Sequence, residues 1–395
     1  MRLKTAATVS DYRALAQKRL PPFLFHYIDG AAGTEITAAR NVREMEAVTL
    51  RQRIMVDVEG ISTATTLFGQ TLSMPVILGP VGLAGLFARR GELQAIRAAR
   101  SAGIPFCLSS LGICSLGEVE GELGGPAPWF QLYMIRDRAF MRDLLSKAQM
   151  AEAPVLVFTV DVAVSGIRHR DRRSGLTGSL AGQAWQAARR PRWTVDVAMR
   201  GGPLLFGNIA AALPKARSLG DFWGWLAGNF DPRVTWDDLA FVREHWRGPI
   251  VVKGVMDPAD AVAAVAAGAD GVIVSNHGGR QLDGVRATVQ ALPAMVDAVS
   301  GAVPVLVDGG VRSGIDIVRA LALGADACLL GRAWAYALAA GGAAGVTQLI
   351  EDLRRELANT LALTGCRTVR AAGRHLLDTG SGDQGMSTST SGPNT

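Results

Sequence analysis

Short apolar runs alternate with amphipathic segments over most of this chain, and no other feature limits its possible folds as much. A continuous apolar run is typical of a strand buried on both faces, and the segments between the runs have the composition of helices. Eight parallel strands with intervening helices close a (β/α)8 barrel, so the sequence predicts an α/β protein of that architecture. The eight runs are PVILGP (75–80), PFCLSS (105–110), WFQLY (129–133), VLVFTVD (155–161), IVVKG (250–254), GVIVSNHGG (271–279), VPVLVDGG (303–310) and ACLLGR (327–332).

An open, doubly wound sheet is the competing fold for such a pattern. That fold has its phosphate-binding glycines after the first strand, whereas here Gly-Gly and Gly-Arg pairs follow the last two runs, which favours the barrel. The gap between the fourth and fifth runs is the longest, and it predicts an insertion over residues 166–234. We therefore expect an N-terminal helical segment (1–74) packed on the barrel, the barrel itself (75–376) and a disordered tail (377–395).

Helix ends, termini and cysteines add further expectations. Ser10 is predicted to cap the first helix, and residues 351–365 to form the last one. The opening MRLKTAATVSDYRAL lacks the apolar core of a signal peptide, and no stretch is long and apolar enough for a transmembrane helix. The cysteines form no C-x-x-C pair, so we expect buried thiols, no metal site and a reducing cytoplasm. They are Cys107, Cys114, Cys328 and Cys366.

Polar residues, glycines or prolines stand at the carboxyl end of every predicted strand, on the rim where (β/α)8 barrels carry their active sites. After the last two strands, bare glycine backbone and two guanidiniums predict a phosphate site, because glycine permits close approach and arginine binds phosphate oxygens in a fork. Turn glycines with solvated arginines are the alternative. The residues of this predicted phosphate site are Asp308, Gly309, Gly310, Arg312, Gly331 and Arg332.

His277 is the only one of the five histidines at a predicted strand end, and Arg280 follows three residues later. A base beside a fixed cation is what proton abstraction from an anionic hydroxy acid requires, because the arginine holds the carboxylate while the imidazole takes the proton. Asp161 can orient the imidazole, and Arg168 can bind the carboxylate from a second side. A surface ion pair with a local arginine is the alternative for Asp161.

Lys253 ends the apolar run IVVK, where a lysine is costly to bury without a partner. It fits two uses. It can lie beside an electron-rich cofactor ring, or it can form a Schiff base with a carbonyl substrate, as in barrel lyases. The residue alone does not separate these two uses, so both stay open at this point.

The runs SNHGGRQLDG, FTVD, FQLY, VVKGV, VDGGVRSG and LLGR resemble those of the FMN-dependent 2-hydroxy acid dehydrogenase and oxidase family, from about residue 8 to about residue 367. Within that family, PPFLFHYIDGAAGTE and RQRIMVDV most resemble the bacterial quinone-linked L-lactate dehydrogenases. The resemblance implies FMN-dependent oxidation of an L-2-hydroxy acid, with L-lactate to pyruvate as the leading candidate, and electron transfer to a quinone or another respiratory acceptor. It also implies a homo-oligomer, a tetramer in the family.

The resemblance implies a role for each matching residue. His277 is the base, Asp161 is its carboxylate partner, and either the α-proton or the hydroxyl proton of the substrate is removed. Lys253 lies beside the flavin, which argues against the Schiff base and leaves a Schiff-base lyase as a distant alternative. Gly82 stands where the family's oxidases usually carry alanine, and this favours a dehydrogenase. The substrate is held by Tyr27, Tyr133, Arg168 and Arg280, and the flavin by Pro80, Val81, Gly82, Ser109, Gln131, Thr159, Ser275 and the predicted phosphate site.

Residues 166–234 are strongly basic, with 11 Lys/Arg against 4 Asp/Glu, and they contain Trp185, Trp193, Trp223 and Trp225. Basic residues with tryptophan suit the interface of an anionic membrane, so we expect peripheral contact with the cytoplasmic face of the inner membrane. A loop that only covers the active site is the alternative, and no motif indicates nucleic-acid binding. An oxygen-using oxidase, an (S)-mandelate dehydrogenase, a Schiff-base lyase and a non-catalytic binding protein are the other functions considered.

Overall fold

The computed structural model describes residues 2–176, 178–210, 224–225 and 228–378. At its centre the eight predicted runs form one parallel sheet, in chain order around a ring. An isolated parallel bridge between Leu78 and Phe106 joins the first strand to the second and closes the ring, which confirms the (β/α)8 barrel. The strands are β1 Val76–Leu78, β2 Cys107–Ser109, β3 Trp129–Tyr133, β4 Leu156–Thr159, β5 Ile250–Val255, β6 Gly271–Val274, β7 Val305–Val307 and β8 Ala327–Leu330.

Helices cover the outside of the barrel, and three of them precede it. The N-terminal three are α1 Val9–Arg19, α2 Pro22–Asp29 and α3 Ile36–Glu46. The others are α4 Gly91–Ser101, α5 Leu116–Leu123, α6 Arg138–Met150, α7 His169–Ser174, α8 Leu180–Ala188, α9 Pro191–Trp193, α10 Asp237–His245, α11 Pro258–Ala266, α12 Thr288–Val299, α13 Gly314–Ala322 and α14 Arg332–Leu363. A π-helical turn, Thr194–Met199, follows α9.

The interior of the barrel is filled by apolar side chains, because alternate residues of each strand point inward. A two-stranded antiparallel hairpin, Thr65–Leu67 and Gln70–Leu72, adds Leu67 and Leu72 to this inner cluster. At the hairpin turn, the Phe68 ring packs edge-on against Trp129 of β3, with 5.7 Å between centroids. The hairpin therefore closes the amino end of the barrel, and the opposite rim is left for the site.

Two helix boundaries differ from the sequence predictions. Thr8 caps α1 in place of Ser10, because its hydroxyl accepts from the Asp11 amide while the Asp11 carboxylate accepts from the Thr8 amide at 3.0 Å. The last helix begins at Arg332 and not at residue 351, with a kink at Gly342 (φ 62°). Its first half is buried on most sides, so it lacks the amphipathic period by which a helix is recognised in a sequence.

The N-terminal segment is helical only as far as Glu46, since residues 47–64 contain no helix and the hairpin follows. The predicted domain limits 1–74, 75–376 and 377–395 stay predictions, and of the predicted tail residues 379–395 lie outside the described residues. All four cysteines are buried and form no disulfide. In the described parts of the chain, no helix combines the length and apolarity needed to cross a membrane.

Candidate active site

A cavity of about 1250 Å³, its open mouth included, lies at the carboxyl ends of the barrel strands. The barrel explains its position, because the loops after the strands gather at that rim. Among the described residues that line this cavity are most of the site residues predicted from the sequence. They are Tyr27, Pro80, Val81, Gly82, Tyr133, Thr159, Arg168, Lys253, His277, Arg280, Asp308, Gly309, Gly310, Arg312, Gly331 and Arg332.

Four predicted residues do not line the cavity: Asp161, which contacts His277 from behind, and Ser109, Gln131 and Ser275, each at most 3% exposed. The Ser109 hydroxyl donates to the Gln131 side-chain oxygen at 3.0 Å, and the Gln131 amide donates to Thr159 Oγ1 at 3.1 Å. This chain of bonds joins β2, β3 and β4, and its last member, Thr159, reaches the cavity wall. A buried polar layer of this kind is stable because its members satisfy one another.

His277 lies on a tight turn directly after β6. It has a left-handed backbone conformation (φ 57°), and so do Gly278 (φ 63°) and Gly279 (φ 76°). Its Nδ1–H donates to Asp161, with 2.9 Å to Oδ1 and 3.1 Å to Oδ2, which leaves the lone pair of Nε2 available. The Tyr133 ring lies nearly parallel to the imidazole, with centroids 6.5 Å apart. Asp161 thus contacts His277, and the surface ion pair considered for it is not formed.

The protonation states of this pair follow from burial and neighbouring charge. Burial lowers the pKa of His277 below its ordinary value, and the charges of Lys253 and Arg280 act in the same direction against the opposing charge of Asp161. Burial alone would raise the pKa of Asp161, but His277 and Lys253 hold it below its usual range. The site therefore holds a neutral imidazole beside an ionised carboxylate at neutral pH, the pair that a general base requires.

Two guanidiniums stand close together in the cavity wall. Arg280 Nη1 donates to the carbonyls of Tyr27 and Gly30 at 2.6 and 2.8 Å, which holds the plane of the side chain over the Tyr27 ring. Burial lowers the pKa of Arg280, and the charge of Arg168 lowers it further. Arg168 Nη1 lies 3.6 Å from an Asp171 oxygen, and its buried Nε has no partner among the described residues. Adjacent like charges of this kind are stabilised by a bound anion.

Helix α2 is fixed to the rim by contacts that were not predicted from the sequence. Its last carbonyls lack partners within the helix, and Arg280 and Arg332 donate to them, Arg332 Nε to Ile28 O at 3.1 Å. Asp29, buried at the end of α2, accepts from Arg170 at 2.8 Å and from the Tyr336 hydroxyl at 2.7 Å. The one signal in the sequence was a carboxylate in the otherwise apolar stretch FLFHYID, where a buried charge needs a partner.

Lys253 is 4% exposed, and its ammonium contacts two residues that directly follow β6 and β7. Its ammonium donates to Ser275 Oγ at 2.9 Å and lies 3.2 Å from Asp308 Oδ2. Burial alone would lower the pKa of Lys253, but Asp308 and Asp161 raise it above its ordinary value, so the amine is charged. The other oxygen of Asp308, Oδ1, is buried without a partner among the described residues, as an acceptor left for a ligand would be.

The predicted phosphate site lies at one end of the cavity. Gly309 (φ 90°) and Gly310 (φ 95°) have left-handed backbones that favour glycine and expose the main chain to the cavity. Arg312 Nη1 donates to the Val311 carbonyl at 2.7 Å. Arg332 is more constrained, since three of its N–H groups donate to carbonyls, including that of Gly278 at 2.8 Å. Only the remaining N–H groups of Arg332 are available to a phosphate, so phosphate binding by Arg332 stays a prediction.

The cavity lining also includes side chains that were not predicted, among them Leu111, Val162, Ser165 and Phe230. Phe230 packs edge-on against Tyr133, with centroids 5.7 Å apart. These residues come from loops after β2 and β4, where no periodic pattern marks a position as inward-facing. These four positions therefore carry no signal in the sequence pattern.

Comparison with known proteins agrees with this arrangement. Residues 16–379 match the family described as FMN-dependent dehydrogenase. An L-lactate dehydrogenase of Caulobacter vibrioides is 54% identical over 373 residues, which cover 94% of this chain and 97% of that protein. The monotopic membrane protein (S)-mandelate dehydrogenase superposes with a TM-score of 0.88 at 36% identity, covering 95% of this chain and 99% of its own. A mandelate oxidase with (S)-4-hydroxymandelic acid gives 0.82 at 38% identity, covering 94% and 98%. The chain therefore belongs to the FMN-dependent dehydrogenase family, as its motifs predict.

Proposed function

We propose that this protein uses FMN to oxidise an L-2-hydroxy acid to the 2-oxo acid, with L-lactate as its substrate. The observation that carries the proposal is the neutral imidazole of His277, bonded to the ionised Asp161, which shares one cavity with the guanidiniums of Arg168 and Arg280. A base next to an anion site suits a substrate that carries a carboxylate and must lose a proton. The identity of 54% with an L-lactate dehydrogenase supports lactate in particular.

The cavity fits FMN in three respects. Gly309 and Gly310 offer bare backbone at one end, where a phosphate can approach closely. The unpartnered Asp308 Oδ1 is an acceptor for a ribityl hydroxyl. Lys253, charged and buried, supplies positive charge for an electron-rich ring. When bound, FMN accepts the two electrons that leave the substrate.

The chain's own residues then have distinct tasks. Arg280, with Arg168, binds the substrate carboxylate, and Tyr133 stays protonated, since burial raises its pKa, so its hydroxyl can donate to the substrate oxygen. His277 Nε2 takes one proton, either from Cα or from the hydroxyl. The resulting imidazolium is stabilised by the bond to Asp161. The Schiff-base alternative is disfavoured, because an ionised Lys253 is not a nucleophile.

A pH profile tests the base. Because the pKa of His277 is lowered, kcat/KM for L-lactate should stay level at neutral pH and fall only below pH 6.5, as protonation removes the base. Replacing Asp161 with Asn removes a charge that raises the pKa of His277, so the acid limb should move to lower pH while the plateau falls. A limb that moves upward in Asp161→Asn, or one above pH 7 in the wild type, would contradict the assignment.

Substrate choice is tested by anaerobic reduction of the purified holoenzyme. L-Lactate should bleach the flavin absorbance completely, with kcat/KM above that for (S)-mandelate, while D-lactate should leave the spectrum unchanged. Faster reduction by (S)-mandelate would replace lactate by mandelate within the same reaction. A protein that is colourless and takes up no FMN would overturn the proposal as a whole.

Quinone, or another respiratory acceptor, is the electron acceptor that we propose. Gly82 supports it, because the oxidases of this family usually have alanine there. A Cβ at Gly82 would lie 3.2 Å from the Tyr27 hydroxyl, so alanine would also crowd the wall of this cavity. With L-lactate in air and no added quinone, we expect peroxide to form far more slowly than lactate is oxidised with a soluble quinone. Peroxide at one mole per mole of lactate, at the quinone rate, would indicate an oxidase.

Peripheral membrane contact through residues 166–234 is the last part of the proposal. Helix α8 has no buried residue, and Leu180 and Trp185 are 74% and 62% exposed. Arg189 lies over the Trp185 ring at 4.6 Å, so positive charge accompanies the apolar surface. Of the other tryptophans that the structure describes in this segment, Trp193 is buried and Trp225 packs on Phe140, so neither adds to the exposed surface of α8. Trp223 lies outside the described residues.

Sedimentation with vesicles tests this contact. The protein should bind anionic phosphatidylserine vesicles at low salt, and Leu180→Ser with Trp185→Ser should weaken binding while kcat with a soluble acceptor stays unchanged. Equal binding of the double variant would remove α8 from the contact. Attachment to the cytoplasmic face of the inner membrane and assembly into a tetramer stay predictions from the resemblance. Light scattering of the purified protein measures its oligomeric state.

A further inference from the structure

Two buried asparagines lie behind the turn that carries His277. Asn41 belongs to the N-terminal helix α3 and is 2% exposed, and Asn276 directly precedes His277 and is 6% exposed. Asn41 Nδ2 donates to Asn276 Oδ1 at 2.8 Å, and Asn276 Nδ2 donates to Asn41 Oδ1 at 2.8 Å. The two amides thus form a closed ring of two reciprocal bonds, which fixes the orientation of both side chains.

The amide oxygen and the amide nitrogen of Asn276 each make a second hydrogen bond, and these two bonds hold the turn. Its Oδ1 also accepts from the Gly279 amide at 3.1 Å, and its Nδ2 also donates to the Arg286 carbonyl at 3.1 Å. The residues between, His277 to Gly279, all have left-handed backbones. A histidine in that conformation is strained and keeps it only where surrounding contacts enforce it. Asn276 supplies those contacts, and Asn41 holds Asn276.

Asn41 also touches the loop of the predicted phosphate site. A Cβ placed on Gly310 would lie 2.2 Å from the Asn41 carbonyl oxygen, and one on Gly309 would lie 3.2 Å from Asn41 Nδ2. Asn41 Oδ1 accepts from the Thr288 amide at 3.3 Å, and the Thr288 hydroxyl donates to the Gly309 carbonyl at 3.2 Å. One residue of α3 therefore packs against both the turn after β6 and the turn after β7.

We propose that Asn41 is a positioning residue that joins the His277 turn to the Gly309–Gly310 loop, so that base placement and FMN affinity depend on the same side chain. The Asn41 side chain does not line the cavity, so it acts through Asn276 on one side and through Thr288 and Gly309 on the other, and not on the reacting atoms. The inference rests on the function proposed above. It adds that an N-terminal helix, outside the barrel, sets the geometry of two separate elements of the site.

The variants Asn41→Ala and Asn41→Asp test this role in the FMN-loaded enzyme. Asn41→Asp keeps the shape of the side chain but replaces the donor to Asn276 Oδ1 with an acceptor. We expect kcat with L-lactate to fall roughly 100-fold, because a displacement of the base by about 1 Å has that effect. KM should change less than about threefold, since Arg168 and Arg280 are untouched, and the FMN dissociation constant should rise about tenfold.

Thr37→Val is the matched control. Thr37 lies one turn earlier on α3, is fully buried, and its hydroxyl accepts from the Gly284 amide at 2.8 Å, in the loop that also carries His277. The variant removes a buried bond between the same helix and the same loop, but it spares Asn276 and Gly310. It should lower the melting temperature as the Asn41 variants do while kcat and FMN affinity stay within about twofold of wild type.

Two results would overturn the proposal. One is an Asn41→Asp protein that is folded by circular dichroism and has wild-type kcat and FMN affinity. The other is a Thr37→Val protein that loses both as strongly, since docking of α3 alone would then explain the effect. A wild-type protein that does not oxidise L-lactate would instead refute the proposed function. The FMN dissociation constants of these variants need no substrate and would still decide whether Asn41 supports the phosphate loop.

Discussion

Replacing His277 with Gln should give a folded, yellow protein whose turnover with L-lactate is about 10,000-fold below that of the wild type. Glutamine can still donate to Asp161 from its amide, so the turn after β6 and its partner should stay in place. It has no lone pair basic enough to take a proton, so the loss should appear in kcat and kcat/KM alike. Single-turnover reduction of the bound flavin measures the effect without interference from the acceptor.

His245→Gln is the control for this experiment. His245 lies on α10, where its Nδ1 is 2.9 Å from the Phe241 carbonyl, and it does not line the cavity. Turnover in that variant should equal wild type, and both variants should keep a full complement of FMN. Turnover in His277→Gln within tenfold of wild type would assign the base to another residue.

Gly310→Ala should destabilise the protein by about 3 kcal/mol or more and strongly reduce FMN binding. Two effects add. A left-handed backbone costs alanine about 1–2 kcal/mol, and forcing a methyl group into a packed contact costs about 1–3 kcal/mol more. The contact is severe here, because the new Cβ would lie 2.2 Å from the Asn41 carbonyl oxygen, which is main chain and cannot rotate away. Urea unfolding of the FMN-free protein measures the loss of stability, and FMN titration measures the loss of FMN binding.

Gly301→Ala separates the two costs. Gly301 also has a left-handed backbone (φ 75°), but no atom lies within 4 Å of an added Cβ, and the residue is on the far side of the barrel, before β7. It should lose only the backbone cost, about 1 kcal/mol, and bind FMN normally. Equal losses of stability in the two variants would show that Asn41 does not press on Gly310.

The fold was predictable because its signal is periodic. Each of the eight strands is an apolar run with helix-forming sequence after it, so existence, order and parallel direction all follow from one pattern. The residues that face the cavity were predictable for a related reason: a barrel places the carboxyl end of every strand on one rim, so polar residues at those ends converge. His277 and Asp161 are 116 positions apart and still meet at 2.9 Å.

The N-terminal helices show what a single sequence leaves undetermined. Nothing periodic connects Asn41 with Asn276, or Asp29 with Arg170 and Tyr336, since these pairs depend on how separate elements dock. The composition of the basic segment likewise does not predict which tryptophans are buried: Trp193 is buried, whereas Trp185 is exposed. Partners of this sort are fixed by tertiary packing, which local pattern does not encode.

The hairpin that seals the amino end of the barrel has a kinetic consequence. With Phe68 against Trp129 at that end, hydroxy acid, oxo acid and electron acceptor must all pass through the opposite mouth, past Arg168 and Phe230. The quinone acceptor proposed above would share this entrance with the hydroxy acid, so we expect the oxo acid to leave before the flavin is reoxidised. Initial-rate plots at several quinone concentrations should accordingly give parallel lines, the signature of a ping-pong cycle.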